Sequence, residues 1–89
     1  MSYYNPTTGN SFSPANQQKL YEDATLRGFI SEEVAGFRQW NKAGRKVRKG
    51  ATAAKIWIMC DRKKPDGTKE KVPKNIPVYF KDQTEPLAA

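Results

Sequence analysis

The sequence contains no histidine and only one cysteine, Cys60. Serine and cysteine nucleophiles usually depend on a neighbouring imidazole, and zinc hydrolases of the His-Glu-x-x-His type need imidazole ligands. One cysteine without histidine also leaves too few ligands for a structural zinc site and excludes an internal disulfide. We therefore expect a protein that is not an enzyme and that binds no metal or other cofactor.

Long hydrophobic runs are missing as well. No stretch approaches the ~18 apolar residues of a membrane-spanning helix, and no signal-peptide pattern opens the chain, so we expect a soluble cytoplasmic protein. The 89 residues suffice for one modest core. The polar composition of the first residues divides the chain into an N-terminal arm, residues 1–13, and a single domain, residues 14–89. The aromatic residues of the arm could anchor it to the domain or stack on a ligand.

Acidic residues are absent from one part of the chain, which we call the basic segment, from Val34 to Cys60. The remainder carries nine basic and nine acidic residues, so the whole formal charge of +7 resides in this segment. Such an uneven distribution implies an anionic partner. The basic residues concerned are Arg38, Lys42, Arg45, Lys46, Arg48, Lys49 and Lys55.

Two helices are predicted before any strand. Ser13 followed by proline is a strong helix start and Gly28 a matching stop, which predicts a helix over Pro14–Arg27. Ser31 predicts the cap of a second helix that runs to about Lys42 and ends near Gly44. The apolar faces predicted to meet the core are Gln17, Leu20, Tyr21 and Ala24 in the first helix, flanked by Leu26, and Val34, Phe37 and Trp40 in the second.

The remainder of the domain is predicted to be a small antiparallel sheet. Gly44–Gly50 is expected to be a loop that Val47 holds to the core and that presents four cations outward as a fixed cluster. Alternation over Ala53–Cys60 predicts a strand with its two isoleucines inside, and Trp57 shares the other face with Lys55.

A turn at Pro65–Gly67 predicts a hairpin, and its charge run fits a solvated tip better than a phosphate grip. Pro73 is expected to end strand pairing. A third strand over Asn75–Lys81 carries Pro77 at an edge or bulge. The fold class is thus α+β, with two N-terminal helices followed by about three strands and one hairpin.

Cations interleaved with aromatic rings indicate a single-stranded nucleic-acid site, because Lys and Arg follow the phosphates while exposed rings stack on bases. Trp57 could instead pack in the core. The second helix also carries polar residues suited to reading base edges of a duplex, so that alternative stays open. The spacing of a Walker phosphate-binding loop is absent. The predicted nucleic-acid-binding residues are Arg38, Lys42, Arg45, Lys46, Arg48, Lys49, Lys55, Trp57 and Tyr79.

Three landmarks of the sequence carry a family resemblance. The first is the opening Asn5-Pro6-Thr7-Thr8-Gly9. The second is Phe37-Arg38-Gln39-Trp40 with Gly44-Arg45-Lys46-Val47-Arg48-Lys49-Gly50-Ala51 and the strand Lys55-Ile56-Trp57-Ile58. The third is the closing run Val78–Leu87. Together they resemble the N-terminal single-stranded DNA-binding domain of ArdC-type antirestriction proteins of plasmids and phages. Ala51 and Thr52 depart from the resemblance, because the family usually has an acidic-basic pair there.

The resemblance implies an α+β domain that binds single-stranded DNA with little sequence preference. The family's metalloprotease-like domain lies beyond the region of resemblance, so metal-dependent activity is not carried over. We expect single-stranded DNA, or else RNA, as partner, in the setting of a phage or mobile element that protects its DNA or counters host restriction. The alternative is an anti-defence inhibitor that docks its basic face on an acidic surface of a host defence protein.

Overall fold

A computed structural model describes residues 2–87 of the chain. These residues form an α+β fold of two helices and five strands. The elements in chain order are α1 Pro14–Arg27, β1 Val34–Ala35, α2 Phe37–Lys42, β2 Arg45–Val47, β3 Ala54–Lys63, β4 Lys69–Phe80, a 3-10 turn Lys81–Gln83 and β5 Thr84–Pro86. Strand β4 lies between β1 and β3 in one antiparallel sheet, and β2 pairs with β5 in another.

The predicted α+β class with antiparallel strands is confirmed, but the predicted order of two helices before about three strands is wrong. Within residues 2–87 no helix has the length and apolarity needed to cross a membrane. The predicted arm, residues 1–13, and the predicted domain, residues 14–89, each include residues outside the described range, and their division stays a prediction.

Helix α1 has the predicted bounds. The Ser13 hydroxyl accepts a hydrogen bond from the Asn16 amide, and Gly28 closes the helix with a φ of 76°. Leu20 and Ala24 are buried as predicted. Tyr21 is half-exposed and Leu26 almost fully exposed, so the predicted apolar face is too wide; Asn16 takes the remaining buried position.

The predicted second helix starts too early. Val34 and Ala35 form strand β1, paired with Phe80 and Tyr79, and both are buried. Helix α2 begins only after Gly36, whose amide donates to Gln39 Oε1 at 2.9 Å. The error is physical: a two-residue strand that is buried on both faces gives no alternation, and its pairing with distant β4 overrides the local helix signal.

The predicted basic loop is also partly wrong. Residues Arg45–Val47 form strand β2, which pairs with Thr84–Pro86, and only the residues that follow it form a turn. Glycines border the segment as predicted, with φ values of 83° at Gly44 and 84° at Gly50. Alternation along β2 sends neighbouring cations to opposite sides, so they do not form one outward cluster.

Strands β3 and β4 form one long hairpin. Pairing continues through Pro73 to the tip, contrary to prediction, and the turn at Pro65–Gly67 is confirmed. Lys81 N donates to Glu33 O on the β1 side of β4. By alternation, the position of the missing N–H of Pro73 and Pro77 also points away from β3, so neither proline interrupts the β3 ladder.

The core lies between α1 and one face of the β1-β4-β3 sheet. It includes Tyr3, which is 1% exposed, and the partly buried Phe12 packs against it. These two rings of the predicted arm therefore anchor it to the domain. Ile56 is buried as predicted, whereas Ile58 is 39% exposed because it lies beyond the part of the hairpin that α1 covers. The buried core residues are Tyr3, Leu20, Ala24, Val34, Ala54, Ile56, Val78 and Phe80.

Candidate nucleic-acid interface

The face of the β3–β4 hairpin that is turned away from the core carries exposed aromatic and apolar side chains. Directly paired residues of an antiparallel sheet share a face. Trp57 pairs with Asn75, Lys55 with Pro77 and Met59 with Pro73, while Tyr79 follows two residues after Pro77. We call this face, together with the adjoining Phe37, the platform: Phe37, Lys55, Trp57, Met59, Pro73, Asn75, Pro77 and Tyr79.

Trp57 is the largest side chain at the centre of the platform and is 52% exposed. Its backbone is fixed by the buried side chain of Asn16, whose amide donates to Trp57 O at 2.8 Å and whose carbonyl oxygen accepts from Trp57 N at 3.0 Å. Lys19 places its Nζ 5.6 Å from the ring centroid, within cation–π range. The indole is thus held at a defined position with much of its surface free, which favours the stacking interpretation over core packing.

A second aromatic group lies about four residues along the strand from the centre of the platform. Phe37, which is 53% exposed, meets the partly buried Tyr79 with ring centroids 6.4 Å apart at 67°. Trp40 supports the strand from beneath: it is 2% exposed, and its indole N–H donates to Tyr79 O at 2.9 Å. Four residues of strand span about 13 Å, so Trp57 and this pair are two separate aromatic positions on the platform.

Three predicted cations lie at or beside the platform. Lys55 is exposed on the same face as Trp57, two residues before it. Arg38 and Lys42 are exposed on α2, the helix that contributes Phe37, and they are neighbours at an i, i+4 spacing. Neither they nor Lys55 has an ion-pair partner among residues 2–87. Their charge is therefore available to an anion.

Two predicted cations are engaged within the protein. The Arg45 guanidinium donates from Nε to Thr84 Oγ1 at 2.8 Å and from Nη2 to Thr84 O at 3.1 Å, which fixes β2 against β5. Lys46 forms an ion pair with Glu85 at 3.3 Å. Arg45 thus has a structural role in the strand pairing, and the field of Lys46 is reduced by its partner.

Arg48 and Lys49 are exposed in the turn after β2, but they lie on the opposite side from the platform. They line a cleft together with Phe29. The Phe29 ring packs 5.1 Å from that of Phe80, which points into the core and is the neighbour of Tyr79 along β4. The structure therefore divides the predicted cluster between two surfaces.

Several residues that position these surfaces were not predicted. Asn16 and Lys19 hold Trp57, and Phe37 was assigned to the core. Gln83 is 6% exposed and connects three segments: it accepts from Phe80 N at 3.0 Å, donates to Thr52 O at 2.7 Å, and its backbone oxygen accepts from Arg48 N. The sequence marks such residues only as polar side chains near apolar positions. That pattern does not show which groups they bind.

Titratable chemistry is sparse at the platform. Among residues 2–87 no group of three or more histidine, cysteine or carboxylate side chains is arranged to hold a metal ion. Burial raises the pKa of Tyr3, in the core, and nearby Glu32 adds to the effect. Hydrogen bonds from Thr68 lower the pKa of Asp66, at the hairpin tip. Neither Tyr3 nor Asp66 is part of the platform. What the platform itself offers is exposed rings and the charge of nearby cations.

The α+β fold described above is accompanied by a match to a known protein family. Residues 2–84 match the family model described as the N-terminal domain of anti-restriction factor ArdC, and the chain belongs to that family. The resemblance seen in the sequence is thereby confirmed.

Solved structures agree in fold. The metal-free crystal structure of the antirestriction ArdC protein from the R388 plasmid superposes with a TM-score of 0.79 at 24% identity, covering 99% of this chain and 34% of that one. Its Mn(II)-bound structure gives 0.80 at 22% identity, covering 92% and 34%. The chain thus spans about a third of that protein. Comparison with curated proteins gives no match.

Proposed function

We propose that this domain binds single-stranded DNA with low sequence specificity through the platform. The observation that carries the proposal is Trp57, half-exposed on a sheet face that also presents Lys55 and bordered by Lys19 on α1. A ring accepts any base, since every base has a π-face, and a nearby cation attracts the backbone. The platform offers no set of polar side chains that would read a particular base, apart from Asn75.

The family membership supports a biological setting for this binding. In that setting the domain serves an antirestriction protein of a plasmid or phage, retaining single-stranded DNA of the mobile element and shielding it from host nucleases. The domain binds the strand and performs no chemistry on it. The cations at or beside the platform, Arg38, Lys42 and Lys55, contact the phosphates of the strand bound there. Arg48 and Lys49, in the turn on the other side, add to the positive field of the domain.

A titration of labelled oligonucleotides by fluorescence anisotropy tests the proposal. With about four to six phosphate contacts, log affinity should fall with log salt at a slope of about −3 to −4. Competition should follow the order single-stranded DNA ahead of duplex DNA, with RNA as the third competitor to define sugar preference. Absence of binding at low salt would refute the proposal.

A matched pair of charge variants locates the contacts. The triple variant Arg38→Gln, Lys42→Gln, Lys55→Gln should reduce the magnitude of the salt slope by about 2, from three lost contacts of about 0.7 each. The control variant Lys63→Gln, Lys69→Gln, Lys71→Gln removes the same charge from the distal hairpin. An equal effect of both variants would show that net charge, and not the platform, determines binding.

A further inference from the structure

The side of the domain away from the platform contains an open cleft of about 530 Å³. Three cations line it, and no acidic residue does. Its lining residues are Arg27, Phe29, Arg48, Lys49, Gly50, Ala51, Thr52 and Gln83. A neighbouring cleft differs in this respect, because there Arg45, Arg48 and Lys81 share the lining with Glu33 and Asp82.

One wall of the cleft is a turn that the fold holds at its start and that a hydrogen bond of its own closes. Arg48 N donates to Gln83 O at 2.9 Å, and Ala51 N donates to Arg48 O at 3.1 Å. Gly50 has a φ of 84°, while Lys49 has a negative φ, the combination of a type II turn. The amides of Lys49 and Gly50 meet no acceptor anywhere in residues 2–87, so they are free to donate to a ligand.

Arg27, at the end of α1, also lines the cleft. Its guanidinium is held by Asp23 at 3.0 Å and donates to Thr52 O at 2.6 Å, and it lies 5.8 Å from the centroid of the Phe29 ring. Asp23 offsets part of this charge. Arg48 and Lys49 have no ion pair among the described residues, so the cleft keeps a clear positive excess.

We infer that this cleft is a phosphate-binding site, separate from the platform. Arg48 and Lys49 supply charge, the turn amides supply donors, and Arg27 adds a third cation to the lining. Fixed donors lose little entropy when a ligand binds, which distinguishes this site from a solvated lysine run. The ligand chemistry is a phosphate group, either a phosphodiester of a bound strand or a strand's terminal phosphate. The inference does not rest on stacking at Trp57.

Titration of the ¹⁵N-labelled chain with inorganic pyrophosphate tests the site without any base. The backbone amides of Lys49–Thr52 should shift, together with Arg27 Nε. The hairpin tip provides an internal control, because Gly67 also has a positive φ and also lies in a turn flanked by lysines, but beside Asp66. Its amide should shift little. Equal shifts at both turns would overturn the inference, since they would indicate diffuse attraction to charge.

The variant Arg48→Gln, Lys49→Gln should weaken pyrophosphate binding about tenfold or more, as expected for lost charge-assisted hydrogen bonds. Lys63→Gln with Lys69→Gln removes equal charge from the hairpin and should leave binding nearly unchanged. The same weakening in both variants would overturn the inference.

Oligonucleotides with and without a 5′-phosphate identify the source of the phosphate. A gain from the terminal phosphate that is lost in the Arg48→Gln, Lys49→Gln variant assigns the cleft to strand ends. Equal weakening of both oligonucleotides by that variant assigns it to phosphodiesters. An oligonucleotide affinity that the variant leaves intact would overturn the cleft's part in strand binding. Replacement of Trp57 should not alter pyrophosphate binding, so failure of the platform and failure of the cleft can be told apart.

Discussion

Replacement of Trp57 by alanine should weaken single-stranded DNA binding and leave the domain folded. A base stacked on an aromatic ring contributes about 1–3 kcal/mol, which corresponds to about a 5- to 150-fold loss of affinity. The side chain is 52% exposed, and Lys19 is a cation–π partner of its ring in the free protein. Loss of that contact costs about 0.5–1 kcal/mol and loss of strand propensity up to about 1 kcal/mol. Trp57→Ala should therefore remain folded.

The two tryptophans provide the assay. Trp40 is 2% exposed and Trp57 is 52% exposed, so stacking should quench the fluorescence of Trp57 alone. In Trp57→Phe the remaining emission of Trp40 should not respond to oligonucleotide, while anisotropy of a labelled strand should show that most of the affinity is kept. The matched control is Ile58→Ala, on the next residue of the same strand but the opposite face.

Either of two results would contradict this reasoning. Wild-type affinity in Trp57→Ala would show that no base stacks there. A loss of oligonucleotide affinity in Ile58→Ala as large as that in Trp57→Ala would show that binding depends on the general packing of β3 and not on the Trp57 ring. Thermal unfolding of all variants separates the two effects on binding and stability.

Three further predictions concern the scaffold. Asn16→Ala should destabilise the domain by about 1–3 kcal/mol, because it leaves both backbone groups of Trp57 without their partner; Gln18→Ala, exposed on the same helix, should cost much less in denaturant unfolding. Gly50→Ala should cost about 1–2 kcal/mol and lower Tm by several degrees, because the φ of Gly50 is 84°. The added Cβ meets no atom within 4 Å, so the cost is backbone strain alone. Gly36→Ala, at a φ of −73°, should cost less. The hydrogen bonds from Thr68 lower the pKa of Asp66 in the folded protein, so the Asp66 carboxylate stabilises the fold above its unfolded pKa, and this stabilisation is lost as pH falls through its folded pKa. The amide resonance of Thr68 should shift over the same pH range. A Thr68 resonance that does not change with pH would contradict the prediction.

Local signals predicted α1 and the hairpin turn because their causes are local. Ser13 and Gly28 act within one turn of the helix they bound, and Asp66 accepts from Thr68 two residues away. The charge of the basic segment was equally visible, since it needs only counting. These features survive in the structure almost as the sequence presents them.

Long-range pairing determined what the sequence did not show. Val34 and Ala35 resemble the start of a helix until Phe80 and Tyr79 pair with them, and Arg45–Val47 resembles a loop until β5 completes it. Alternation along β2 then separates cations that are adjacent in sequence. Phe37 falls outside the core for a related reason: the late start of α2 turns it toward Tyr79 at the edge of the platform.

Neutral side-chain amides hold both candidate surfaces in place. Asn16 binds the backbone N–H and C=O of Trp57 together, and Gln83 both accepts from Phe80 N and donates to Thr52 O below the basic turn. A carboxylate at either position could accept but could not donate, and a lysine could donate but not accept. A carboxylate would also add negative charge beside cations that the fold otherwise leaves unpaired. The amides therefore complete the backbone hydrogen bonds of the platform and the cleft without adding negative charge to either surface.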